Sequence, residues 1–119
     1  MGFEIMSGWN QFPVENNWWA RLADYSRHIA PTLTAACRYW YSNDGDGLSA
    51  DQARRLGAEL QRSVDDCSID AYARQLFKKS VPRFVWSDYE IERRFVNQFI
   101  GEVQRFIEFL LTCDGFEIR

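Results

Sequence analysis

Between Ser87 and Gly115, apolar residues recur at three- and four-residue spacing: Ile91, Phe95, Phe99, Val103, Phe106, Ile107 and Leu110. That period lines them up on one face of an α-helix. No proline interrupts the run. Ser87 followed by Glu90 has the form of a capping box, in which a hydroxyl takes the third backbone amide and the acid returns the bond. Gly101, inside the run, costs about 1 kcal/mol against alanine and leaves room for a close helix crossing. A helix this long in a chain of 119 residues has to be covered by most of what precedes it.

Shorter stripes upstream supply the cover. Trp18, Trp19, Leu22, Ala23, Ser26 and Ile29 share the helical period, with Asn16 or Asn17 placed to cap and Pro31 to stop the helix. Adjacent helical residues point about 100° apart, so Trp18 and Trp19 are expected to divide between a buried and a partly exposed ring. Ser49 with Gln52 forms another capping box ahead of Ala53, Leu56, Leu60 and Val64. Asp65 and Asp66 oppose the macrodipole at the end of that helix, which predicts fraying. Ile69, Tyr72, Ala73, Leu76 and Phe77 mark a further helix, ended by Val81-Pro82, and Phe84-Val85-Trp86 is a short apolar connector. Residues 32–41 fit neither period.

At the N-terminus, Phe3, Ile5, Trp9, Phe12 and Val14 around Ser7-Gly8 read as a β-hairpin. Gly2-Phe-Glu-Ile5 recurs as Gly115-Phe-Glu-Ile118, so the two chain ends have matching sequence for pairing as strands. The expected fold is mainly α: about four helices in a compact bundle, with a small β element made by the N-terminal hairpin and open to the C-terminus. All 119 residues form a single domain.

Charge and composition narrow the function. With 14 Lys and Arg interleaved among 17 Asp and Glu, for a net charge of −3, the chain lacks the basic stripe that phosphate neutralisation requires, and no nucleic-acid partner is expected. No apolar run approaches a membrane span and the first residues lack the basic region of a signal peptide. No membrane association is therefore expected. Cys37, Cys67 and Cys113 are odd in number and widely spaced, which fits a reducing, cytoplasmic setting rather than a disulfide framework.

Motifs for chemistry are sparse. His28 is the only histidine, beside Arg27 and off the apolar stripe, where a solvated role is expected. None of the cysteines has metal-ligand spacing, so no metal, cofactor or catalytic residue is assigned. Ser42-Asn-Asp-Gly-Asp-Gly47 echoes a calcium loop, with Ser42, Asp44 and Asp46 at positions 1, 3 and 5 and Gly47 at position 6. The twelfth position, where a bidentate glutamate belongs, is Ala53. The rings of Tyr39-Trp40-Tyr41 precede this acidic loop. Trp and Tyr are common interface anchors, and Trp40, Tyr41, Asn43, Asp44 and Asp46 are therefore the candidate partner-binding residues.

The sequence also resembles a group of small uncharacterised bacterial proteins. The resemblance lies in Tyr41-Ser-Asn-Asp-Gly45, Ser49-Ala-Asp-Gln-Ala-Arg-Arg-Leu56 and Gly115-Phe-Glu-Ile118. It departs from that pattern at Asp46, where an amide is expected, and at Asp114, where a glycine is expected. In type it is similar to bacterial immunity proteins, small acidic cytosolic chains that neutralise a cognate toxin. The resemblance implies a protein-binding domain, an immunity or antitoxin-like inhibitor whose partner is a toxin or effector. Two alternatives stay open: a small-ligand or calcium-responsive regulatory module using loop 42–47, and an enzyme of unrecognised type.

Overall fold

The computed structural model of the chain describes residues 3–42 and 44–119. Its spine is the helix Tyr89–Thr112. At 1.5 Å per residue this helix is about 36 Å long, most of the molecule's 43 Å longest dimension. In chain order the elements are strands β1 (Ile5–Ser7) and β2 (Asn10–Phe12), helices α1 (Asn16–Ile29) and α2 (Pro31–Thr34), strand β3 (Gly47–Leu48), helices α3 (Ala50–Asp65) and α4 (Ser68–Ser80), a 3-10 turn at Arg83–Val85, the spine α5 (Tyr89–Thr112) and strand β4 (Phe116–Ile118). The fold is mainly helical, with four long helices and a small antiparallel sheet, as the spacing of the apolar residues predicts. No helix among the described residues is long and apolar enough to cross a membrane.

Both α3 and α4 lie along α5. The close crossing is made by Gly57 on α3, where a Cβ would come within 2.9 Å of Leu111 Cδ2 and 3.3 Å of Leu110 Cβ. Gly101, expected to serve that purpose, has nothing within 4 Å of a Cβ built on it.

The capping box at Ser49 forms as expected, with Ser49 N–H donating to Gln52 Oε1 at 2.9 Å and Gln52 N–H donating to Ser49 Oγ at 3.3 Å. Elsewhere neighbours displace the expected caps. Asp88, not Ser87, caps α5 by accepting from Ile91 N–H. Neither Asn16 nor Asn17 caps α1: Asn16 Oδ1 accepts from Phe3 N–H, which ties the first strand to the helix. The end of α3 does not fray. Its ladder runs to Asp65, and Asp66 accepts the Ser68 amide that opens α4.

The sheet order is β2-β1-β4-β3, antiparallel throughout. The repeated Phe-Glu-Ile segments do meet: Ile5 pairs with Ile118, and both are fully buried. Glu4 and Arg119 extend the ladder by exchanging two 2.8 Å backbone hydrogen bonds. Period-2 alternation turns Phe116 and Ile118 inward and leaves Glu117 in solvent.

The sheet and α1 close over one aromatic core. Trp19 stacks on Trp40 with centroids 5.8 Å apart and meets Phe106 edge-on at 5.7 Å. Contrary to the expectation of one exposed ring, Trp18 is buried as well: it packs against Phe99, and the Arg21 guanidinium covers it at 4.7 Å.

Candidate functional site

Pro31 restarts the chain as a single helical turn after Ala30 leaves helical geometry at φ −134°. Residues 35–42 and 44–46 then return irregularly to β3. Trp40 holds the middle of this segment from inside. Its indole N–H donates to Thr34 O at 3.0 Å, and its own carbonyl accepts from the Trp19 indole at 2.8 Å. Buried rings with polar handles need such partners. Trp40 is only 2% exposed, so this ring, expected at the contact surface, instead anchors the loop to the core.

Asp46 fixes the far end. One carboxylate oxygen accepts the amides of Arg38 (2.7 Å) and Tyr39 (3.0 Å), and the other accepts that of Gly47 (2.9 Å). Its backbone joins β4, with Ile118 N–H donating to Asp46 O at 2.7 Å and Gly45 N–H to Ile118 O at 2.8 Å. Burial alone would raise the Asp46 pKa. The amides of Gly47, Tyr39 and Arg38, with the Arg38 charge, outweigh that effect and hold the carboxyl below the usual carboxylate range. Gly47 follows because β3 approaches β4 so closely that a Cβ would stand 1.8 Å from Phe116 O.

These bonds bear on the calcium-like string. Both Asp46 oxygens are already engaged by amides, and the Asp44 carboxylate accepts from the Ser42 hydroxyl. Ala53, at the twelfth position, is fully buried on α3 and has no side-chain oxygen. Among the described residues no group of three or more His, Cys, Asp or Glu is arranged to hold a metal ion.

The outward side of the segment carries two exposed tyrosines, Tyr39 and Tyr41. Tyr41 is 43% exposed. Its hydroxyl donates to Asp24 and accepts from Arg27 Nη1 at 3.3 Å, and the Arg27 guanidinium lies 5.6 Å from the ring centre. Burial of the hydroxyl, then its bond to Asp24, raises the Tyr41 pKa. Tyr39 is similarly half exposed, with the Arg38 guanidinium 5.3 Å from its ring. Beside them lies a cleft of about 460 Å³, whose lining includes Asp24, Arg27, His28, Cys37 and Arg38. Cys37 is buried there. That burial, with the nearby Asp46 charge, pushes its thiol up to about 11, so at neutral pH it is a protonated core thiol and not a nucleophile.

The expected contact residues therefore separate. Tyr41 and Asp44 stand at the surface, Asp46 works within the loop, Trp40 lies in the core and Asn43 falls outside the described residues. The face is also less acidic than the loop sequence implies, because Arg27 and Arg38 share it with Asp24 and Asp44. Asp24, Arg27 and His28 were legible in principle: they stand at i, i+3 and i+4 on the side of α1 opposite its tryptophan stripe.

No family model matches this chain, and neither a curated protein nor a solved structure matches it. The functional reading therefore rests on the geometry of the chain itself.

Proposed function

We propose that this chain is a non-catalytic protein-binding domain, an immunity-type inhibitor that neutralises a cognate bacterial toxin by lying across its active site. The observation that carries the proposal is the fixed, exposed Tyr41 ring. Asp24 and Arg27 hold its hydroxyl, while Asp46 and the core-anchored Trp40 hold the backbone on either side of it. Immobilising a side chain on binding costs about 0.5–1.5 kcal/mol, and here that ordering precedes the partner. Tyr39 and Asp44 are exposed in the same segment, and Arg27 and Arg38 add positive charge, so a matching partner surface has mixed polarity. A standard interface takes about 800 Å² from each side, roughly a tenth of the chain's 7244 Å² surface. The Tyr39–Tyr41 face and its cleft are where that area would centre.

The test is co-expression with the product of a neighbouring toxin gene. Wild-type chain is expected to rescue growth and to bind the toxin in calorimetry. Tyr41→Ala is expected to weaken binding at least tenfold while the melting temperature stays within a few degrees. A wild-type chain that neither rescues growth nor binds the toxin overturns the proposal.

A further inference from the structure

The segment joining α4 to α5 concentrates exposed apolar surface. Phe84 is 84% exposed and Tyr89 77%, with Trp86 and Ile91 about two-fifths exposed. These rings do not sit on a loose loop. Val85, Trp86 and Asp88 N–H donate to Pro82, Arg83 and Val85 carbonyls at 2.9, 3.1 and 2.9 Å, and the Trp86 indole donates to Lys78 O at 3.1 Å. The corner is built, and it leaves its largest apolar side chains in water.

Its charge differs from that of the chain. Residues 78–94 hold five cations (Lys78, Lys79, Arg83, Arg93, Arg94) and three carboxylates, against a chain total of −3. Lys78 and Arg83 lie 5.9 and 5.7 Å from the Trp86 ring centre. No ion pair among the described residues engages Lys78, Lys79 or Arg83. Exposed rings edged by cations have the layout of an interface, with aromatic residues at its centre and polar groups at its rim.

We infer that this corner is a second docking face, and that its occupant is an acidic protein segment carrying apolar anchors. Charge complementarity favours that occupant over two others. A second copy meeting the corner face to face would set one net positive patch against another. An anionic bilayer would attract the cations but repel Asp88, Glu90 and Glu92, which share the corner with the rings. A polypeptide, unlike a bilayer, can set its carboxylates at Lys78, Lys79 and Arg83 and its apolar side chains on the rings, clear of those acids. The inference rests on none of the residues of the Tyr41 face.

A phage-displayed random peptide library selected on the full chain, and counter-selected on a Phe84→Ser/Tyr89→Ser variant, tests it. Both substituted residues are exposed, and a circular-dichroism melt of the variant verifies that it folds. Enriched peptides are expected to interleave Asp or Glu with Leu, Phe or Trp, and to shift amide resonances within residues 78–94. They should bind the double variant, and separately a Lys78→Glu/Arg83→Glu variant, at least tenfold more weakly, with affinity falling as salt rises. The inference is overturned if no peptide discriminates wild type from the variant, if the selected peptides are basic, or if the shifts fall at residues 38–46. It is equally overturned if phosphatidylserine vesicles or self-association in ultracentrifugation, rather than peptide, depend on Phe84 and Tyr89.

Discussion

The two ends of α5 both carry tryptophan and tyrosine, and they use them in opposite ways. At the C-terminal end, by the sheet, the indoles of Trp19 and Trp40 are buried, stacked and hydrogen-bonded, and the exposed Tyr41 is held by Asp24 and Arg27. At the N-terminal end, Phe84 and Tyr89 project into water from a turn whose own backbone is ordered. The difference lies in what backs each ring. Beneath the loop face stand two layers, the sheet and α1, with Phe106 and Phe116 filling between them. Beneath the corner, Phe77 meets Phe95 at 5.6 Å and the Arg21 guanidinium covers the Phe95 ring at 5.4 Å. The buried rings of the first region contribute to folding, and Phe84 and Tyr89 of the second remain largely in water.

The largest test of that contrast is Trp40→Ala. Truncating a buried aromatic costs about 3–5 kcal/mol, and here the Trp19 indole would also lose its stacking partner. Denaturant unfolding should register a loss in that range. A loss below about 1 kcal/mol would mean that Trp40 does not join the loop to the core.

Gly47→Ala comes next. The added methyl would overlap Phe116 O, so β3 has to part from β4 or both have to shift, at about 1–3 kcal/mol. Amide exchange of Ile118, which donates to Asp46 O, should accelerate. Unchanged exchange would show that the loop end is held without the β3–β4 pairing.

Asp46→Asn should cost about 1 kcal/mol, since three amides lose an ionised acceptor on a partly exposed residue. The sign with pH is definite. The folded Asp46 pKa is depressed, so its stabilisation is complete above the unfolded carboxylate pKa of about 3.9 and fades as pH falls through the lower folded value. The asparagine variant should lose less stability than wild type between neutral pH and that acid range. The Asp66 carboxyl, depressed chiefly by the Ser68 amide, keeps a remaining slope in both proteins. Equal acid slopes would show that the Asp46 bonds do not hold the loop.

How much of each end was legible in the sequence follows from what organises it. Local patterns read directly: the α5 stripe, the Ser49–Gln52 box, and the pairing of the two chain ends, in which Ile5 of β1 meets Ile118 of β4. Trp40 did not, because residues 35–46 have no period to separate inside from outside, and its burial depends on Trp19, 21 residues away. Asp46 read as a possible ligand because its real partners are amides seven and eight residues upstream that only the folded loop delivers. The choice of Asp88 over Ser87 is a one-residue shift that the capping pattern cannot decide. Phe84-Val85-Trp86 read as an apolar connector, but its exposure depends on how far α1 and the sheet extend along α5.

The smallest effect expected is the most informative about the corner. Phe84→Ser removes a ring that is 84% exposed, and surface substitutions of this kind fall within about 0.5 kcal/mol of neutral. The Val85, Trp86 and Asp88 amide bonds do not involve the Phe84 side chain, so the turn should persist, with unchanged Lys78 and Trp86 indole resonances by NMR. A loss above about 1 kcal/mol would mean that Phe84 packs in solution, and the contrast between the ends of α5 would collapse into one continuous core. A null effect keeps the two regions distinct. It leaves a large ring that folding does not need, displayed on an ordered turn beside Lys78 and Arg83, which form no ion pair among the described residues.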